Sequence, residues 1–235
     1  ITDRLAAHAG PAVLGFDFPF GYPLHTDGTP LLPAGRALCR FLADRITDDE
    51  RAHTNRFDAA ARLNRELAPR CNNTGPFWGA PNGTPRADLP ATKPADTSAP
   101  PYRIVERRLR ERAGARPHSA WKLAYAGAVG SQALVGLAWV HRLMEDPRVR
   151  ERCAIWPFET GWDARVRAGE GDLIVIAEIY PSLLCADSLS GGRARSESPR
   201  KLHRILDAAQ VLAVRNAVLN AREPADLFAR PPDLT

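Results

Sequence analysis

Three acidic residues in this chain stand at the ends of apolar runs, and a fourth interrupts an apolar stripe. Asp17 follows Val13-Leu14-Gly15-Phe16, Glu159 follows Ile155-Trp156-Pro157-Phe158, and Glu178 lies within Ile174-Val175-Ile176-Ala177-Glu178-Ile179-Tyr180-Pro181. Asp207 falls inside Ile205-Leu206-Asp207-Ala208-Ala209. Ligands of open α/β sheets collect at the carboxyl ends of the strands, so acids at such ends are placed for function. An ionised carboxylate among apolar neighbours is costly unless a cation or hydrogen-bond donors compensate. Several converging acids therefore point to a hard divalent ion, Mg2+ or Mn2+, which takes oxygen ligands and leaves room for water and phosphate oxygens. Two such ions would stabilise both the attacking and the leaving oxygen of a phosphodiester displacement. The plainer reading is that each acid caps a helix or pairs with an arginine.

The cations suit the same substrate class. Arg103, Arg107, Arg108, Arg110, Arg112 and Arg116 form one set, and Arg193, Arg195, Arg200, Lys201 and Arg204 form another that borders Asp207. Such sets hold phosphates, although Glu106 and Glu111 allow the first to be a solvated helix face instead. Lys122, within Ser119-Ala120-Trp121-Lys122-Leu123, is the cation in the most apolar context. The six histidines show no metal-ligand spacing, and no Gly-x-Ser-x-Gly elbow accompanies them. Gly127-Ala128-Val129-Gly130-Ser131 lacks both a preceding strand and a Gly-Lys-Ser, so helix packing explains it better than phosphate binding.

The elements that must position these residues follow from apolar spacing and breakers. Thr2 to Ala9 reads as a helix ended by Pro11, and Ala12 to Phe16 as a buried parallel strand. The segment Ala12 to Pro23, running through Asp17 into Phe18-Pro19-Phe20-Gly21-Tyr22-Pro23, is then expected to wall the active site. Helices are expected over Leu31 to Arg45, Asp48 to Leu67, Ser119 to Glu145 with Ser119 as its cap, and Leu202 to Leu219. Cys153 to Phe158 and Leu173 to Ile179 read as further buried strands. Between Pro69 and Pro101, prolines at 69, 76, 81, 85, 90, 94, 100 and 101 exclude a helix or central strand. That segment, 69–101, is an insertion in the form of a long loop or a lid, and its aromatic knot Gly75-Pro76-Phe77-Trp78-Gly79 argues that part of it packs.

Composition bounds the rest. A chain of 235 residues that is 44% hydrophobic fills an ordinary core, and its net charge of +5 favours anions weakly without naming nucleic acid. Cys39, Cys71, Cys153 and Cys185 contain no Cys-x-x-Cys pair and read as reduced thiols of a cytoplasmic protein. No run is long and apolar enough to span a bilayer. The order strand, helices, strand, strand, helix is an α/β pattern over one domain, 1–235.

Three motifs in this order, Gly15-Phe16-Asp17-Phe18-Pro19-Phe20-Gly21, Glu178-Ile179-Tyr180-Pro181-Ser182 and Asp207-Ala208-Ala209-Gln210, resemble a family of bacterial proteins described as predicted RNase H-like nucleases. Its closer members share Asn55-Arg56-Phe57, Gly75-Pro76-Phe77-Trp78-Gly79, Ser119-Ala120-Trp121-Lys122-Leu123, Gly130-Ser131-Gln132 and Trp156-Pro157-Phe158-Glu159-Thr160, and some are labelled as molybdopterin-guanine dinucleotide synthesis proteins. The resemblance covers most of the chain. It implies an RNase H-like mixed sheet flanked by helices, with Asp17, Glu178 and Asp207 as catalytic metal ligands and Arg56, Trp78, Lys122, Gln132 and Glu159 about the substrate. The first three strands of that fold and their acid would lie before Ile1, so an N-terminal segment is expected upstream of this chain.

Three functions are open to such a chain. The first is a Mg2+- or Mn2+-dependent phosphodiester hydrolase or nuclease-like enzyme. The second is an enzyme acting on a small nucleotide or phosphorylated metabolite, with Trp78 stacked on a base. The third is a non-catalytic nucleotide-binding module.

Overall fold

The computed structural model describes residues 1–49, 51, 53–82, 86–113, 116–161 and 173–180. The expected helix Leu202 to Leu219, the second basic set, Asp207 and Cys185 lie outside them. The elements run α1 (Thr2–Ala7), β1 (Ala12–Phe16), α2 (Gly35–Ala43), α3 (Arg56–Leu67), α4 (Ile104–Ala113), α5 (Gly130–Glu145), β2 (Cys153–Trp156) and β3 (Ile174–Glu178). The protein is therefore of mixed α/β class. The chain divides into two compact units, one of Ile1–His8 with Phe18–Cys153 and one of Ala9–Asp17 with Ala154–Thr235.

In the unit that holds the sheet, the strand order is β1-β3-β2. β1 and β3 run parallel, with Ala12 opposite Ile174 and Phe16 opposite Glu178. Ile174, Val175, Ile176 and Ala177 are all buried, as the central position of β3 requires, and Trp156 and Leu173 pack on Val175 and Ala177. The expectation that β1 is buried is corrected, because Val13 is 46% exposed. β1 is an edge strand among the described residues, and an edge strand lacks one of the neighbours that would cover it. Gly15 has a packing reason, since a Cβ there would stand 2.9 Å from Ile179 Cγ2.

The other unit is helical. α2 packs on α5 through Leu38, Cys39 and Leu42, and α5 buries Ala133, Leu134, Leu137, Ala138, Leu143 and Met144. Gly136 lets the Phe18 ring lie against α5, because a Cβ would come within 2.4 Å of Phe18 Cζ. Phe20 stacks on Phe18, and Tyr22, Phe77 and Trp121 form a second aromatic cluster. Tyr22 stacks on Trp121 with ring centroids 4.6 Å apart, and Phe77 meets Trp121 edge to face at 4.9 Å. Aromatic pairs of this kind add about 0.5–1.5 kcal/mol beyond burial.

Three helices start later than apolar spacing predicts. α2 begins at Gly35, after Pro33 and at a left-handed φ of +57°, although Leu31 and Leu32 are buried as expected. The stretch before α3 is a turn in which the Asp49 carboxylate accepts the N–H groups of Arg51 and His53. Asn55 closes that turn by accepting from the Thr47 N–H and donating to the Arg45 carbonyl. α5 begins at Gly130 instead of Ser119, because Tyr125 (φ +69°) and Gly127 (φ +74°) cannot belong to a right-handed helix.

The proline-rich segment is a fastened loop. Asn64 of α3, only 3% exposed, donates to the carbonyls of Phe77 and Asp88 at 2.9 and 2.6 Å and accepts the Phe77 N–H at 2.8 Å. Trp121 Nε1 donates to the Pro100 carbonyl, and Thr97 Oγ1 donates to that of Thr74. Phe77, Leu89 and Ala99 of the segment are core residues.

Candidate functional site

Asp17 and Glu178 meet where two parallel strands end. Glu178 is the last residue of β3 and is paired with Phe16, the last of β1, while the Ile179 N–H donates to the Phe16 carbonyl at 2.9 Å. Asp17 is the next residue, set at the bend where the ladder stops. Its carboxyl is held above the usual carboxylate range, first by burial and second by the negative charge of Glu178. An acid whose ionisation is opposed by burial and by a neighbouring carboxylate forms with that neighbour a donor set suited to a hard cation, which would remove both penalties at once. Among the described residues, no group of three or more His, Cys, Asp or Glu side chains converges on one point. Asp207, the expected third ligand, is not among those residues.

The expectation that Ala12 to Pro23 forms a continuous wall is corrected beyond Asp17. Pro19 to Pro23 turn inward, with Phe20 fully buried and Tyr22 only 7% exposed. Their apolar character serves the aromatic core rather than a cleft. Burial pushes the Tyr22 hydroxyl upward against an opposing pull from Arg103.

Glu159 stays beside its own strand. Its carboxylate accepts the Ile155 N–H at 2.7 Å while its N–H donates to the Ile155 carbonyl at 2.8 Å, so it ties the turn that follows β2. Arg56 donates to Thr54 Oγ1 at 2.6 Å and lies over the Phe57 ring, with its Cζ 4.5 Å from the centroid. Gln132 is exposed in the first turn of α5.

Trp78 and Lys122 are brought together. The two residues form a parallel bridge in which the Trp78 N–H donates to the Trp121 carbonyl and the Leu123 N–H to that of Trp78. The Lys122 ammonium stands 5.4 Å from the Trp78 ring centroid and donates to the Ala126 carbonyl. Further along the same two segments, the Asn82 N–H donates to Tyr125 Oη at 2.7 Å. The Tyr125 ring is 54% exposed. Sequence reasoning missed Tyr125, and only Gly127, two residues later, hints at the turn that presents it.

The arginines of α4 divide. Glu106, buried at 5% exposure, accepts the Arg103 N–H at 2.7 Å and its guanidinium at 2.9 and 3.0 Å. Glu106 therefore caps the helix and pairs with Arg103, leaving Arg107, Arg108 and Arg110 on the exposed side.

No family model, curated protein or solved structure matches this chain. Among the described residues, no helix is long and apolar enough to cross a membrane.

Proposed function

We propose that the chain is a divalent-metal-dependent phosphodiester hydrolase of RNase H-like, nuclease-like kind. Asp17 and Glu178 would hold Mg2+ or Mn2+, with Asp207 as a further ligand, and nucleic acid would be the substrate. The observation that carries this reading is the pair of acids at the carboxyl ends of adjacent parallel strands, with Asp17 resisting ionisation partly because Glu178 is near. A bound cation would supply Lewis-acid stabilisation of charge on phosphate oxygens. The chain's own contribution is to keep Asp17 and Glu178 on neighbouring strand ends, where the β1–β3 ladder fixes their spacing. The test is cleavage of single-stranded, duplex and hybrid nucleic acids with and without Mn2+. The wild type should cleave at least one of them only with metal, and Asp17→Asn should lose at least about a hundredfold in rate, the scale of losing a main electrostatic stabiliser. Equal rates in the two proteins would reject the assignment.

A second reading is supported by the Trp78–Lys122 contact: an enzyme acting on a small nucleotide or phosphorylated metabolite, with the base stacked on Trp78. An indole face beside an ammonium recognises a planar ring that carries a phosphate.

A further inference from the structure

The two segments that carry Trp78 and Lys122 continue side by side and build a ledge with an aromatic side chain at each end. Trp78 opposes Lys122 at one end, and Asn82 meets Tyr125 at the other. Between them the two backbones run in close contact, with Gly79 and Ala80 buried. Gly79 has φ +93°, and a Cβ there would stand 3.0 Å from the Ala124 nitrogen.

Tyr125 is unusual in two respects. A bulky residue at positive φ is strained, by about 1–3 kcal/mol, and burial does not repay the strain, because the ring is 54% exposed. The hydroxyl nonetheless accepts the Asn82 N–H, which tethers the exposed side chain at its tip. Lys122 is also incompletely used. An ammonium has three N–H donors, and the Ala126 carbonyl takes one of them while the Trp78 face takes part of the charge. The ledge thus offers two aromatic surfaces for stacking and a cation with donors to spare. Apolar contact alone would not need the lysine, and phosphate alone would not need the rings.

The geometry points to a nucleotide-binding ledge in which the Tyr125 and Trp78 rings offer stacking faces to nucleobases and Lys122 takes a phosphate, either from a free nucleotide or from a single strand of nucleic acid. This deepens the second reading, on whose Trp78–Lys122 contact it rests, and it requires no metal.

The test is a binding titration of the whole chain in EDTA, followed by tryptophan fluorescence and by calorimetry. The probes are adenosine 5′-monophosphate, ribose 5-phosphate and a short single-stranded oligodeoxyadenylate. Saturable binding of the mononucleotide or the oligonucleotide, with ribose 5-phosphate at least about tenfold weaker, is the expected result, because one base–aromatic stack contributes roughly that factor or more. Preference for the mononucleotide identifies a free nucleotide as the ligand, and preference for the oligonucleotide identifies a strand. Tyr125→Gly removes the ring and relieves the left-handed strain, so it should weaken binding about tenfold without lowering Tm. Lys122→Gln should weaken binding and flatten its salt dependence. Because the titration runs in EDTA, its outcome is independent of the metal assignment. No saturable binding by either adenine probe, equal binding of ribose 5-phosphate, or unchanged binding in both ledge variants would overturn the inference.

Discussion

Because burial and the Glu178 carboxylate both oppose ionisation of Asp17, replacing that carboxyl with a neutral amide removes a cost from the metal-free fold. A carboxyl whose folded pKa is raised favours the native state while protonated, and that contribution is lost as pH rises through the folded value. Asp17→Asn should accordingly melt higher than the wild type at neutral pH in EDTA, and the difference should close as the pH is lowered. Asp17 keeps part of its surface in water, so the gain is small. Adding Mn2+ should reverse the order by stabilising only the wild type. Thermal melts of both proteins with and without metal check the four values. The strand end that carries Asp17 was legible in the sequence because a short apolar run closed by an acid marks where a strand stops. Glu159 fitted the same pattern, yet its carboxylate is used by the Ile155 N–H four residues earlier. A local hydrogen bond of that kind leaves no trace in apolar spacing.

At the scale of elements, apolar spacing found β1, β3 and the bodies of α2, α3 and α5, but it set those helix starts too early. Leu31 and Leu32 are buried without being helical, so their spacing signalled core and not helix. Ser119 did accept a local N–H, that of Trp121 at 3.3 Å, but the left-handed residues at 125 and 127 delayed the helix to Gly130. Gly136 shows the reverse case, in which a residue poor for helices is required by packing. Helix propensity alone predicts that Gly136→Ala gains about 1 kcal/mol. The Phe18 ring occupies the space, so a net loss of about 1–3 kcal/mol is expected from overpacking. Combining it with Phe18→Leu should recover part of that loss, which a double-mutant cycle in denaturant measures. Asn64 makes a stronger claim about the proline-rich loop. Asn64→Ala leaves the Phe77 N–H and the carbonyls of Phe77 and Asp88 without their side-chain partner, at about 1–3 kcal/mol for each buried group left unpaired. A stability loss of about 2 kcal/mol or more is expected by urea unfolding, with faster proteolysis inside 69–101. Closure of that loop as a lid would have to break the same bonds.

For the molecule as a whole, the net charge of +5 conceals how many acids are committed to ion pairs and turns. Asp146 accepts two hydrogen bonds from the Arg148 guanidinium, at 2.9 and 2.7 Å, and its carboxyl is drawn down to about 2. The same guanidinium reaches Asp3 of α1 at 2.8 Å, so one arginine joins the first helix to the turn after α5. Asp27 is drawn down to about 2 by the hydroxyl and N–H of Thr29. A depressed carboxyl contributes stability that is present above its unfolded value, about 3.9 for Asp, and is lost as pH falls toward its folded value. That sign is opposite to Asp17's. In metal-free buffer, stability should therefore hold or rise slightly as the pH drops from neutral through the range in which Asp17 takes up its proton. It should then fall between about pH 4 and about pH 2, as Asp27 and Asp146 lose their charge. Asp146→Asn should lower Tm at neutral pH and leave it unchanged below about pH 2, and high salt should shrink the neutral-pH difference, because the Asp146–Arg148 pair lies at the surface, where charges are screened. A series of Tm values against pH for the wild type, Asp17→Asn and Asp146→Asn separates the two signs. A wild-type curve that Asp146→Asn merely shifts downward by a constant amount would mean that Asp146 acts through packing and not through its charge.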